Sequence, residues 1–164
     1  MERKIRVLPS EVLLEEYRKL LESRETEALP LVISGNSMSP FLVHGRDVVW
    51  LSKLERPAKK GDVLLYQRDS GEYILHRVMK ADKNGYTMLG DAQTKPEPGI
   101  RPDQIIAVMS FAERKGKKQA PGSFWWEFFE KVWIRAVFLR KPAVKIYGAA
   151  KKLFRQLFYG GGLW

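Results

Sequence analysis

The sequence contains no cysteine and only two histidines, His44 and His76. The first absence removes disulfides, thiolate nucleophiles and cysteine-ligated zinc or iron–sulfur centres. The second, together with the lack of an HExxH pattern, argues against a histidine-based metal site, and no cofactor is implied. Long apolar runs are missing too. Nothing approaches the roughly 18–20 apolar residues that span a bilayer. The N-terminus, MERKIRVLPSEVLLEEYRKLL, is broken by charge throughout and does not read as a secretory signal peptide. The expectation is a protein of the cytoplasmic side, free or held on a membrane surface. Acidic residues are scarce in one region only. Residues 1–113 balance acids against bases, whereas 114–164 hold Glu127 and Glu130 as their only acids and carry the whole net charge of +10.

What is present is enough for one domain with a real core and an appendage: 164 residues, 45% hydrophobic and 12% aromatic. Residues 1–30 contain a short amphipathic helix. It opens at Pro9-Ser10-Glu11, where Ser10 can cap, and puts Leu13, Tyr17, Leu20 and Leu21 on one face. From Leu31 the period becomes that of strands. LVIS (31–34), DVVWLS (47–52), DVLLYQ (62–67), EYILHRVMK (72–80), GYTMLG (85–90) and QIIAVMSFA (104–112) are short, β-branched or aromatic, and bounded by turn formers. Asp69-Ser70-Gly71 and Lys83-Asn84-Gly85 are hairpin turns, and 92–99 reads as a proline-stiffened loop. The fold expected for 31–113 is therefore mainly β, a compact antiparallel barrel or coiled sheet. Residues 114–122 read as a basic linker and 123–164 as two basic, aromatic amphipathic helices separated at Lys141-Pro142. The first carries Phe124, Trp125, Phe128, Phe129, Val132 and Trp133; the second carries Ile146, Tyr147, Ala150, Leu153, Phe154, Leu157 and Phe158.

Two residues carry candidate chemistry. Ser37 lies in Gly35-Asn36-Ser37-Met38-Ser39-Pro40, where a glycine lets the chain turn and a proline stiffens it, so the hydroxyl can stand at the mouth of a sheet. A serine hydroxyl is a poor nucleophile until a base takes its proton. His76, mid-strand beside Ile74 and Val78 on one face, supplies an imidazole that titrates near neutral pH. Asp47 and Asp62 each precede an apolar strand and read as acids that tie down turn N–H groups. Asp103 and His44 read as surface residues.

The order of blocks GNSMSP, GRDVVWL (45–51), GDVLLY (61–66), YILHRVM (73–79) and LGDAQTKPEP (89–98) resembles the signal peptidase/LexA superfamily of serine proteases, over roughly residues 31–113. The resemblance implies that Ser37, in the Ser-Met-x-Pro box, is the nucleophile. It implies that His76 is the base, as in the branch that includes endoplasmic-reticulum and archaeal signal peptidases. It implies an acid that orients the histidine, either Asp91 of the Gly-Asp block or Glu97, which stands where the family commonly has aspartate before proline. The implied substrate is a signal or leader peptide on a preprotein. Many members carry an N-terminal transmembrane anchor, for which this sequence shows no candidate. The basic aromatic segment 123–164 is the candidate replacement, as a peripheral membrane surface. Alternatively, its aromatics pack on the β domain or a partner. Nucleic acid is not an expected partner, since basic charge with aromatics is present but no recognition motif is. The other reading of the whole chain is a non-catalytic scaffold of the same fold whose basic tail docks on a membrane or a partner.

Overall fold

Alternating apolar side chains set out a series of short strands, and these pair in one antiparallel sheet. The computed structural model describes residues 10–23, 26–140, 142, 145–146 and 149–150. Helix α1 (Ser10–Ser23) leads into β1 (Leu29–Val32), β2 (Val48–Ser52), β3 (Val63–Gln67), β4 (Tyr73–Asp82), β5 (Gly85–Leu89), β6 (Glu97–Ile100), β7 (Ile105–Arg114) and β8 (Lys117–Gln119). Helix α2 (Phe124–Glu127) continues directly as a π-helical stretch, Phe128–Trp133, and a single 3₁₀ turn follows at Val137–Leu139. The sheet order is β1-β2-β7-β3-β4-β5-β6, with β8 folded back on β7. The expected mainly β coiled sheet is what forms; the sheet does not close into a barrel, and β1 and β6 remain its edges.

Central β3 is buried on both faces, which divides the core in two. Val63 and Leu65 point into a cluster with Ile33, Met38, Phe41, Leu42, Val49 and Leu51. Leu64 and Tyr66 point the other way, with Val78, Tyr86, Met88 and Ile100. Leu21 of α1 joins the first cluster, and the Tyr17 hydroxyl donates to the Pro30 carbonyl, seating the helix against β1.

Two strands lie where the sequence reads as loop and linker. Pro98 sits in β6, tolerated because that strand is an edge, where a missing N–H breaks no ladder. Lys117 and Lys118 sit in β8, a short edge strand whose charge keeps it from recruiting further strands. The first tail helix is also shorter than its sequence period, ending at Trp133 rather than at Lys141-Pro142. Its aromatics divide between two environments. Trp126, Phe129, Trp133 and Ile134 are buried, whereas Phe124, Trp125 and Val132 are exposed. Phe129 lies 4.7 Å from Phe41, centroid to centroid, so this segment packs directly behind the turn that carries Ser37. The second tail helix expected from the sequence lies almost entirely outside the described residues. Among the described residues no helix is long and apolar enough to cross a membrane.

Candidate active site

Ser37 is half-buried in the turn between β1 and β2, just before the core residues Met38, Phe41 and Leu42. These three anchor the turn from below. The Ser39–Pro40 peptide is cis, and the Pro40 carbonyl accepts from an Arg114 guanidinium nitrogen at 3.1 Å. The Gly35 N–H is taken by His44 Nδ1 at 3.0 Å and Ser39 N–H by the Asn36 carbonyl at 3.1 Å. Among the described residues, neither the Ser37 hydroxyl nor its N–H has a hydrogen-bond partner. The Ser37 N–H is thus available as an oxyanion donor, and the hydroxyl makes no hydrogen bond to a base in this structure.

His76 lies on β4 opposite Leu64 of β3, on the face shared with Tyr66 and Val78, and is 3% exposed. Gly90, which follows β5, brings it to the serine turn. A Cβ on Gly90 would fall 2.6 Å from the Ser37 carbonyl oxygen and 3.0 Å from His76 Nε2, so the approach of these two groups requires glycine there. The Ser37 carbonyl also accepts from Ala92 N–H at 2.8 Å. The Ser37 carbonyl and His76 Nε2 therefore both lie against Gly90, which makes the serine turn and the histidine neighbours, with Nε2 as the ring nitrogen on that side.

The two candidate acids fare differently. Asp91 does not bond His76. It is fully buried and accepts two hydrogen bonds from Arg77, Nε to Oδ1 at 2.9 Å and Nη2 to Oδ2 at 2.8 Å. Arg77 follows His76 on β4, and its Nη1 donates to the Gly61 carbonyl at 2.9 Å. This buried pair ties the Gly90–Gln93 turn to the sheet. Glu97 reaches His76 through an intermediary. The Tyr66 hydroxyl donates to Glu97 Oε2 at 2.8 Å and lies 3.3 Å from His76 Nδ1.

The proton positions follow from this chain. Arg68 grips Glu97 with two bonds of 2.7 Å, and this guanidinium holds the Glu97 carboxyl below its usual range despite partial burial, so it is an acceptor only. Tyr66 must then spend its proton on Glu97, and burial, helped by Glu97, raises its pKa. The Tyr66 oxygen is left to accept from Nδ1–H, which leaves the lone pair on Nε2. Burial pushes the His76 pKa down to about 4, opposed by the negative charges of Glu97 and Asp91. The imidazole is neutral at pH 7 and able to take a proton.

Tyr66, Arg77 and Gly90 were not singled out from the sequence. Tyr66 reads there as an apolar strand residue, and its position two residues before Arg68 on the strand facing His76 is the only local signal. The acids before β2 and β3 do tie turn amides: Asp47 accepts from Val43 N–H at 2.9 Å and Asp62 from Lys59 N–H at 2.8 Å.

Beside Ser37 runs a groove of about 450 Å³ between β1 and β4. Leu31 and Ile33 form one wall, Tyr73 and Leu75 the other, with Met38 and Leu65 between them. Strand β5 pairs with β4 only from Arg77 onward, so Tyr73–His76 has no strand on that side among the described residues. Strand β1 is likewise open on the side away from β2. Among the described residues no group of three His, Asp or Glu side chains is arranged to hold a metal. No family model matches the sequence, and comparison with curated proteins returns no match.

Proposed function

We propose that this protein is a serine endopeptidase that cleaves an extended peptide, of the signal- or leader-peptide class, by acyl-enzyme chemistry at Ser37. The observation that carries the reading is that the Ser37 carbonyl and the Nε2 of a buried, neutral His76 both lie against Gly90, beside an apolar groove, while the Ser37 hydroxyl has no hydrogen-bond partner among the described residues. His76 Nε2 takes the Ser37 proton as Oγ attacks the scissile carbonyl, and later returns it to the leaving amine. Tyr66 holds Nδ1–H, and Glu97, through Tyr66, supplies the negative charge that favours the imidazolium. The Ser37 N–H serves the developing oxyanion. An extended substrate adds as a strand to the uncovered edge at Tyr73–His76 or at β1. Incubation with a fluorophosphonate probe followed by peptide mapping tests the proposal: one adduct is expected, on Ser37. A folded protein that forms none leaves the non-catalytic scaffold as the reading of this chain.

The pH dependence has a definite sign. A base works when unprotonated, so the acid limb of kcat/KM tracks the His76 pKa and is expected near pH 4 rather than near the ordinary imidazole value of about 6.5. Glu97→Gln removes a negative charge that opposes the desolvation and leaves Arg68 balanced only by Glu72, which is farther along its own hairpin. The limb is expected to move to still lower pH, with a lower plateau rate. A limb that stays in place or moves upward would contradict the role given to Glu97.

The same proposal places the enzyme on a membrane surface through the tail. Phe124 is 72% and Phe138 78% exposed, and Trp125, Val132, Leu139 and Ile146 are exposed with them. Lys131 and Arg135 are exposed in the same segment, within the region that carries the whole net positive charge. Aromatics at headgroup depth and cations worth about 1 kcal/mol each on anionic lipid suit such a face. Flotation is expected with vesicles containing phosphatidylserine and not with pure phosphatidylcholine, and is expected to weaken in a Trp125→Ala/Phe138→Ala variant. Equal recovery with both lipids, or none with either, would defeat this placement.

A further inference from the structure

Arg140 is 1% exposed, among the most deeply buried side chains of the protein, yet none of its hydrogen bonds goes to a carboxylate. Nη1 donates to the Gly90 carbonyl at 2.9 Å and the Gln93 carbonyl at 3.1 Å, and Nη2 to the Trp133 carbonyl at 3.2 Å. Its guanidinium lies 5.9 Å from the Trp133 ring. Trp133 in turn donates Nε1–H to the Asp91 carbonyl at 2.8 Å. The Gly90, Asp91 and Gln93 carbonyls are therefore all held by side chains of the tail. The N–H of Ala92, in the same turn, holds the Ser37 carbonyl at 2.8 Å. Burying a guanidinium among neutral carbonyls is costly, and apolar residues would fill the space with less penalty. What the arginine provides is one rigid planar head whose Nη1 holds the Gly90 and Gln93 carbonyls of the turn while its other prong, Nη2, holds the Trp133 carbonyl of the tail, tying the two together.

We infer that Arg140 is a positioning residue for Ser37, acting through the Gly90–Gln93 turn. The inference rests on the serine-peptidase reading above. The Ser37 carbonyl belongs to the peptide that leads out of the candidate nucleophile, so anchoring it sets the backbone angle on which the direction of the Ser37 hydroxyl depends. The same turn contains Gly90, against which His76 Nε2 lies. The tail thus aligns serine and base from behind, at a distance from the substrate groove, which its side chains do not line.

The test is the kinetics of fluorophosphonate acylation of the full chain, with Arg140→Lys and Arg140→Gln. Lysine keeps the charge without the fork; glutamine keeps a planar donor without the charge. Both are expected to lower the maximal acylation rate about 10- to 100-fold, the effect of misplacing a reacting group by roughly 1 Å. The half-saturating probe concentration and the final stoichiometry are expected to stay as in the parent. A purely structural role would instead lower the final stoichiometry as molecules unfold, with the surviving fraction reacting at the parental rate. That result, or parental rates in either folded variant, overturns the inference while leaving Ser37 as nucleophile. A parent protein that is never acylated overturns the serine-peptidase reading and this inference with it.

Discussion

Ser37→Ala and His76→Ala are each expected to lower peptide cleavage about 10⁶-fold, and the double variant is expected to be no worse than either single one. On the proposed mechanism the hydroxyl and the imidazole form one device: without a proton acceptor the serine does not ionise, and without the serine the histidine has nothing to activate. Their losses therefore overlap rather than multiply. The fold should survive the serine change. The Ser37 hydroxyl has no hydrogen-bond partner among the described residues, and its turn is anchored by Met38, Phe41 and Leu42. His76→Ala should cost more stability, since it opens a cavity beside Leu64 and Tyr66. The measurement is kcat/KM for a leader peptide across the four proteins, each checked for cooperative unfolding. Independent, multiplying effects, or appreciable cleavage by Ser37→Ala, would show that the two residues do not act as nucleophile and base.

Asp91→Ala is expected to destabilise the protein by about 3–5 kcal/mol, a large part of the roughly 5–15 kcal/mol that holds a domain together. The cause is Arg77. Its side chain is 2% exposed and that of Asp91 0%, so removing the carboxylate strands a charge where water cannot reach it. Urea unfolding should show a lower midpoint at unchanged slope. Replacing both partners, as Arg77→Met with Asp91→Leu, should recover most of the loss, because the uncompensated charge is gone. Glu97→Ala is expected to cost much less. Its partner Arg68 is 32% exposed and regains water when the carboxylate leaves. An Asp91→Ala protein of parental stability that had lost only its activity would make Asp91, rather than Glu97, the acid that acts on His76.

Asp91 and Glu97 are both acids in the segment after β5, and nothing in their spacing from His76 distinguishes them. The difference comes from the pleat. Neighbours on β4 point to opposite faces, so Arg77 meets Asp91 on one side while His76 meets Tyr66 on the other. Tyr66 was readable as a strand aromatic but not as the link between His76 and Glu97, because that role depends on which residue of β4 it faces. The tail aromatics pose the same difficulty. Helical spacing marks them as apolar, but only the position of Phe41 decides that Trp126 and Phe129 turn inward while Phe124 and Trp125 stay exposed.

The order of residues along the chain was enough for the strands β2 to β5 and β7, through short alternating runs of β-branched and aromatic residues. It determined the hairpin turns at Gly71 and Gly85, where a positive φ calls for glycine, and the neutral body with its basic tail. Local propensity and charge are written along the chain and need no partner to act. Long-range contacts are what leave the sheet open, put Pro98 and the lysines of 117–118 in edge strands, and give Asp91 to Arg77. The same is true of Arg140, which reads in sequence as one more tail cation and in the fold is the buried clamp behind Ser37. Each of those outcomes is a contact between residues far apart in the chain, fixed by strand register and by the cost of leaving a buried charge or carbonyl unpaired.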